Sequence, residues 1–321
     1  MDRRAFVTMM GSLVAVPLVA EAQQTARAFR VGVLGPTPID TTLSATFKQE
    51  LSQFGYSEGR NLVIEYRHGE GRPLVEFAAD LVRLNVDAIL ARGPAAVVAV
   101  NNATRTIPVV ALDLESDPIA AGFVRSLAQP GGNITGLFLD LPELSGKQLQ
   151  LLKEVVPQLS RVAVLGDPAL NGPQFRAAEF AARALGMHLQ SLEVRATSDF
   201  NRALEDATRG RAKAVLLLSS PLVFAQRAQI GALAIEKRLP TESMFVEFAE
   251  AGGLMAYGPS VREMYRRCAI YVGKILQGAQ PGVLPVERPE RFELVINLKT
   301  AKTLGLTVPP SVLLRADRVI E

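Results

Sequence analysis

The sequence predicts an α/β protein of two lobes, each built on a doubly wound parallel sheet. Two observations carry this. From Phe29 onward, short runs rich in Val, Ile and Leu alternate with longer stretches of helical period, the order expected of βαβ units. After Lys147 the same rhythm starts again, with no residue-level repeat, and 321 residues suffice for two domains each burying its own core.

In the first half, strands are expected over 30–34, 62–66, 87–91 and 107–112, with helices over 43–54, 74–84 and 94–102 between them. In the second half, strands are expected over 161–165, 188–194, 214–218 and 253–257, with helices over 173–185, 199–208 and 222–237. Strands that are almost continuously apolar need helices on both faces. Two such lobes joined by extended crossings leave a cleft between them. Residues 133–140, 253–259 and 284–298 read as the three crossings, which places 28–140 with 259–285 in one lobe and 141–258 with 286–321 in the other.

A strand, a small or polar residue, Pro and then a helix recur at Gly93-Pro94, Asp117-Pro118 and Ser220-Pro221, more loosely at Gly35-Pro36 and Asp167-Pro168. Pro suits the first helical position, and Asp or Ser before it caps free amides. In a parallel sheet these junctions share the carboxyl edge, where ligands bind, and helix amino ends there favour a carboxylate. The carboxylates of Asp113, Glu115 and Asp117 offer acceptors to an ammonium or hydroxyl group. Ile119, Phe123 and Leu127 fall at helical spacing, so a helix is expected from Pro118 to Gln129, capped by Gly131-Gly132. A strand follows those glycines, so they do not cradle a phosphate.

Other chemistries lack their residues. His68 and His188 are the two histidines and Cys268 the single cysteine, which leaves no His/Cys metal site and no nucleophile with an evident base. Cys268 sits in a helical pattern and reads as buried packing; Phe224 and Phe245 read as core. Glu247 and Glu250 fit a solvated face as well as a catalytic pair. There is no G-x-x-x-x-G-K-S/T loop and no G-x-G-x-x-G between a strand and a helix. The net charge of +3 is spread thinly, which argues against nucleic acid. Trp is absent, so no indole can grip a ligand. No cofactor and no metal is expected.

Residues 1–22 read as a secretory signal: Arg3-Arg4, an uncharged run from Phe6 to Ala20, and a small-x-small site ending at Ala22. The Arg pair also fits a twin-arginine signal, apart from Asp2. No Cys follows Ala22 to carry a lipid. A mature protein free in the periplasm, and monomeric, is expected.

Several ordered motifs together resemble the exported substrate-binding components of ABC transporters, in the family that includes tryptophan- and other aromatic-amino-acid-binding lipoproteins. They are Ser116-Asp117-Pro118 through Pro130-Gly131-Gly132-Asn133-Ile134-Thr135-Gly136, then Lys147-Gln148-Leu149 through Pro157, residues 253–258, and Asn297-Leu298-Lys299-Thr300-Ala301 with Leu304-Gly305-Leu306. The resemblance implies a type I periplasmic-binding-protein fold, capture of a small ligand by lobe closure, and delivery to a membrane permease driven by a separate ATPase. A small polar or aromatic carboxylate, amino-acid-like, is the expected ligand. Its expected contacts are Gly93, Pro94, Ala95, Ala96, Asp113, Ser116 and Asp117 from the first lobe, and Asn171, Ser219, Ser220 and Tyr257 from the second. Each of these also fits capping or packing. Two other functions use the same features: a ligand sensor docking on a membrane receptor, and an exported α/β enzyme working through Asp113 and Asp117.

Overall fold

The computed structural model describes residues 28–69, 72–139 and 144–321. The expected signal over residues 1–22 lies outside them, as does residue 140, the end of the first expected crossing.

The first sheet is made of β1 (Phe29–Gly35), β2 (Leu62–His68), β3 (Ala88–Arg92), β4 (Val109–Asp113) and β5 (Ile134–Phe138), in the order β2-β1-β3-β4-β5 and wholly parallel. The connections are α1 (Thr41–Gln53), α2 (Leu74–Arg83) and α3 (Pro94–Ala103). Val31, Val33, Leu90 and Val110 face one apolar cluster and Leu34, Ile89, Ala91 and Val109 the other, so both faces are covered, as the continuous apolar strands require.

The second sheet is larger. Its elements are α4 (Leu144–Val155), β6 (Arg161–Gly166), α5 (Pro168–Ala184), β7 (His188–Glu193), α6 (Asp199–Arg209), β8 (Ala214–Leu217), α7 (Pro221–Ala225), α8 (Arg227–Glu236), β9 (Thr241–Ser243), α9 (Val246–Glu250) and β10 (Met255–Gly258). The chain then forms α10 (Val261–Leu276), a 3-10 turn at Pro281–Val283, β11 (Glu293–Asn297), α11 (Leu298–Thr303), α12 (Pro310–Leu313) and β12 (Arg318–Ile320). The strand order is β12-β11-β10-β9-β8-β6-β7. One pair, β10 with β11, is antiparallel, because β11 arrives from the other lobe.

The chain passes between the sheets three times: after β5, between β10 and α10, and between the 3-10 turn and β11. After the second passage α10 packs along α1 and onto β3, β4 and β5, so the first lobe takes a helix from late in the sequence. Phe54 lies against Gly273 of α10, where a Cβ would fall 2.5 Å from the ring. Cys268 is buried on that helix, which pushes its thiol pKa up, as its packing role expects. The third passage is laid along β5 by Phe138 N–H to Glu287 O (3.0 Å) and Glu287 N–H to Gly136 O (2.9 Å).

The helix expected from Pro118 to Gln129 is absent, and with it any helix for Gly131-Gly132 to cap. Asp117 Oδ1 accepts the amides of Ile119 (2.9 Å) and Ala120 (3.1 Å), Gly122 turns left-handed at φ 71°, and Arg125 N–H bonds back to Pro130 O. These local bonds replace the helical ladder. Phe123 and Leu127 still pack on the second cluster, which explains their apolar spacing without a helix. Gly131 donates to Gly282 O and so seats the 3-10 turn. The helix expected over 222–237 is broken at Gln226 into α7 and α8, and α5 begins at Pro168 because Asp167 Oδ1 caps Ala169 N–H at 2.9 Å.

Gly136, the last residue of the Asn133-Ile134-Thr135-Gly136 motif, sits at φ 127° beside Ala111, where a Cβ would fall 2.5 Å from the Ala111 nitrogen and closer still to its carbonyl oxygen. Gly136→Ala is therefore expected to destabilise the protein by about 3 kcal/mol, lowering the thermal midpoint by on the order of 6 °C in calorimetry.

Candidate functional site

The carboxyl ends of the two sheets face each other across a cavity of about 400 Å3. That volume lies in the range of small-molecule sites. From the first lobe it is walled by the loop 36–40 after β1, by Arg92 and Gly93 after β3, by Leu112, Leu114 and Glu115 around the end of β4, and by Val261 and Tyr265 of α10. From the second lobe come Pro221, Phe224, Ala225 and Gln226 of α7 and its end, and Phe245 after β9. Phe224 and Phe245 meet edge to face with centroids 5.1 Å apart.

Three contacts hold the lobes together around it. Gly93, at φ 79°, lets the first lobe close on Pro221: a Cβ there would lie 2.9 Å from Pro221 Cγ. Ser219 Oγ donates to Glu115 Oε1 at 2.5 Å. Arg227 Nη2 donates to Asp40 Oδ2 at 2.6 Å, while Asp40 Oδ1 caps α1 through Thr42 N–H at 2.8 Å. Burial works to raise the Asp40 carboxyl, but the Arg227 hydrogen bond and the amides outweigh it and hold the group below its usual value.

Glu115 behaves oppositely. Desolvation, then the nearby Asp113 carboxyl, push it up to about 8, against the opposing Ser219 hydrogen bond. Asp113 is fully buried; its Oδ1 accepts the amides of Glu115 and Ser116 at 3.0 Å each, and burial raises it as well. Arg92 bridges Tyr265 and the first loop, with Nη1 to Tyr265 Oη at 3.2 Å and Nη2 to Thr37 O at 2.6 Å. Its guanidinium lies over Gly35, where a Cβ would be 2.7 Å from Cζ.

The structure distributes the residues expected from sequence unevenly around this cavity. Gly93 walls it, and Ser219 reaches it through Glu115. Ser220 caps α7 at the rim, Oγ accepting Val223 N–H at 3.0 Å. Asn171 stands behind Ser219, donating to its carbonyl at 2.6 Å, and so positions it. Pro94, Ala95 and Ala96 open α3 beside Gly93 without walling the cavity, Ala96 being wholly buried. Asp113, Ser116 and Asp117 shape the loop that carries Glu115, and Tyr257 lies outside the walls, its ring 6.1 Å from Phe292. Phe224 and Phe245, read as core, are walls; Phe245 is both, being almost fully buried.

The family model described as ABC transporter substrate binding protein matches residues 38–320. The chain belongs to the ABC transporter substrate-binding protein family. Its two-lobe architecture is the type I periplasmic-binding-protein fold. A conserved domain protein from Vibrio cholerae is 27% identical and superposes with a TM-score of 0.81, covering 91% of this chain and 100% of that one. A Streptococcus pneumoniae ABC domain in complex with L-Trp gives a TM-score of 0.80 at 23% identity, over 91% and 100% of the two chains. The tyrosine-binding protein of Clostridioides difficile is 23% identical over 266 residues, 81% of this chain and 75% of that protein. Among the described residues of this substrate-binding protein, no helix is long and apolar enough to cross a membrane, and no group of His, Cys, Asp and Glu side chains could hold a metal.

Two outcomes follow from the lobe contacts. Gly93→Ala adds left-handed strain of about 1–2 kcal/mol and a methyl group against Pro221, so ligand affinity is expected to fall at least about tenfold in isothermal titration. Glu115 is raised in the closed form and returns toward its usual 4.5 when opening re-exposes it to water. Closure is then favoured at low pH, and the advantage is lost as pH rises from 4.5 to about 8. Affinity is expected to fall across that window by up to about tenfold per pH unit, and Glu115→Gln to flatten the profile.

Proposed function

We propose that this protein is the exported solute receptor of an ABC import system, which captures a small carboxylate, amino-acid-like or aromatic, between its lobes and delivers it unchanged to a membrane permease. The observation that carries this is the cavity itself, enclosed by the strand ends of two lobes that meet at Gly93–Pro221 and Ser219–Glu115. Such an enclosure can open only if one lobe turns against the other about the three passages, which suits capture and release.

In this reading the lobes are 28–140 with 259–285 and 141–258 with 286–321, and residues 1–22 are removed after Ala22, leaving a monomer in the periplasm. The relatives described as binding tyrosine and L-Trp support a ligand of amino-acid size. Gly93 is the contact from the sequence expectation best placed to touch it; Ser219 and Ser220 act from behind the wall through Glu115 and the start of α7, and Asn171, Asp113 and Ser116 by holding Ser219 and Glu115.

The test is mass spectrometry of the small molecules released when natively purified mature protein is denatured, paired with thermal shift against amino acids and aromatic acids. A stoichiometric released molecule, or a rise of several degrees with one ligand class, is expected. A folded protein that releases nothing and responds to no member of the panel would sink the proposal.

A further inference from the structure

The cavity wall carries three ionisable groups other than Tyr265: Asp40, Arg92 and Glu115. The rest is largely apolar, with Pro36, Ile39, Leu43, Leu112, Phe224 and Phe245 as its larger surfaces. Among the described residues two of these charges are already answered. Asp40 has one oxygen on Arg227 and the other on the α1 amide. Glu115 is bound to Ser219 and stands next to the buried Asp113, an arrangement that favours its neutral, proton-bearing form.

Arg92 is different. Its Nη atoms donate to two neutral oxygens, Tyr265 Oη and Thr37 O, and among the described residues no carboxylate pairs with it. Its Nε–H is buried and has no partner among the described residues. A guanidinium held in an apolar enclosure without a counter-charge is costly, and the cost is relieved when an anion supplies charge-assisted hydrogen bonds. The position is built: Gly35 gives the guanidinium room, and Tyr265 and Thr37 fix its plane. Arg suits a carboxylate through its planar fork of donors.

An ammonium finds no comparable reception. It would have to displace Arg227 from Asp40, or sit on Glu115 after that group lost its proton beside Asp113.

We infer that the cavity selects apolar-bodied monocarboxylates that lack an α-ammonium group, with the carboxylate paired to Arg92. This rests on the receptor reading above and narrows its ligand class. A cavity of about 400 Å3 accommodates a single ring with a short acid chain. The neutral Glu115 adds a donor to the same anion, whereas an amino acid brings a second charge that the walls leave unanswered.

The experiment is isothermal titration of the mature protein at pH 7 with 3-phenylpropanoate, L-phenylalanine and 3-phenylpropan-1-ol, and with indole-3-propanoate and L-tryptophan, after any bound molecule is removed and identified. The acids are expected to bind at least about tenfold more tightly than the matched amino acids and than the alcohol. Arg92→Gln, checked for folding by circular dichroism, is expected to remove at least that factor for the acids and to lower the alcohol's affinity by much less, so that the acid-to-alcohol ratio collapses. If that variant does not fold, the wild-type ratio of acid to amino acid decides alone. An amino acid binding as tightly as its deamino acid overturns this inference and leaves the receptor reading standing. If none of the five binds, the released molecule decides: an anion without ammonium supports the inference and a zwitterion overturns it. No binding and no released molecule sinks the receptor reading and this inference together.

Discussion

Two parallel sheets present their carboxyl edges to each other across a gap small enough for one glycine to touch one proline, and every property of the cavity depends on that approach. At Gly93 the backbone is left-handed and has no Cβ to hold Pro221 away. The same approach brings Ser219 to Glu115 and Arg227 to Asp40. Without it the loop 36–40, the turn after β4 and the start of α7 would be three separate polar rims in water. With it they become walls, and water is replaced by Phe224, Phe245 and prolines.

Enclosure then sets the electrostatics. In water Asp40, Arg92, Arg227 and Glu115 would all be charged and well solvated. Behind the closed lobes each must be answered differently: Asp40 and Arg227 by pairing, Glu115 by holding its proton, Arg92 by neutral oxygens alone. Asp113 takes part without touching the cavity, because its buried carboxyl both shapes the turn that carries Glu115 and discourages that group from ionising. Burial and sequence neighbourhood thus matter more here than the formal charge of any one residue.

The alternation of strands and helices and the two-lobe class were legible because long runs of apolar period leave little choice once strands are short and helices long; the order of strands within each sheet was not read. Gly93, Ser219 and Ser220 were legible for a local reason, the Pro that follows a strand end. Arg92 was missed although it adjoins Gly93, since an arginine at the end of a strand ordinarily reads as a solvated terminus. Tyr265 and Val261 carry no local signal at all: they reach the cavity because α10 crosses back, a fact of long-range packing. Pro118–Gln129 misled for the opposite reason. Its apolar spacing at four residues is real and two of its members, Phe123 and Leu127, are used for packing, but Asp117 and Gly122 direct the backbone into turns that bury those two side chains and leave Ile119 exposed.

The late arrival of α10 also governs how the chain is made. A ribosome that has just finished Phe138 has produced all five strands of the first sheet, yet on one face α1 stands without α10, which covers β3, β4 and β5, until residues 261–276 have been synthesised. Leu90 and Val110 wait through more than a third of the chain for the helix that carries Tyr265, Cys268 and Val272 to cover them. The first lobe cannot mature as the nascent chain's first finished unit, and a product truncated before α10 would expose an apolar sheet face prone to aggregation. The two lobes are separate in shape, but the first can close its core only after most of the second has been made.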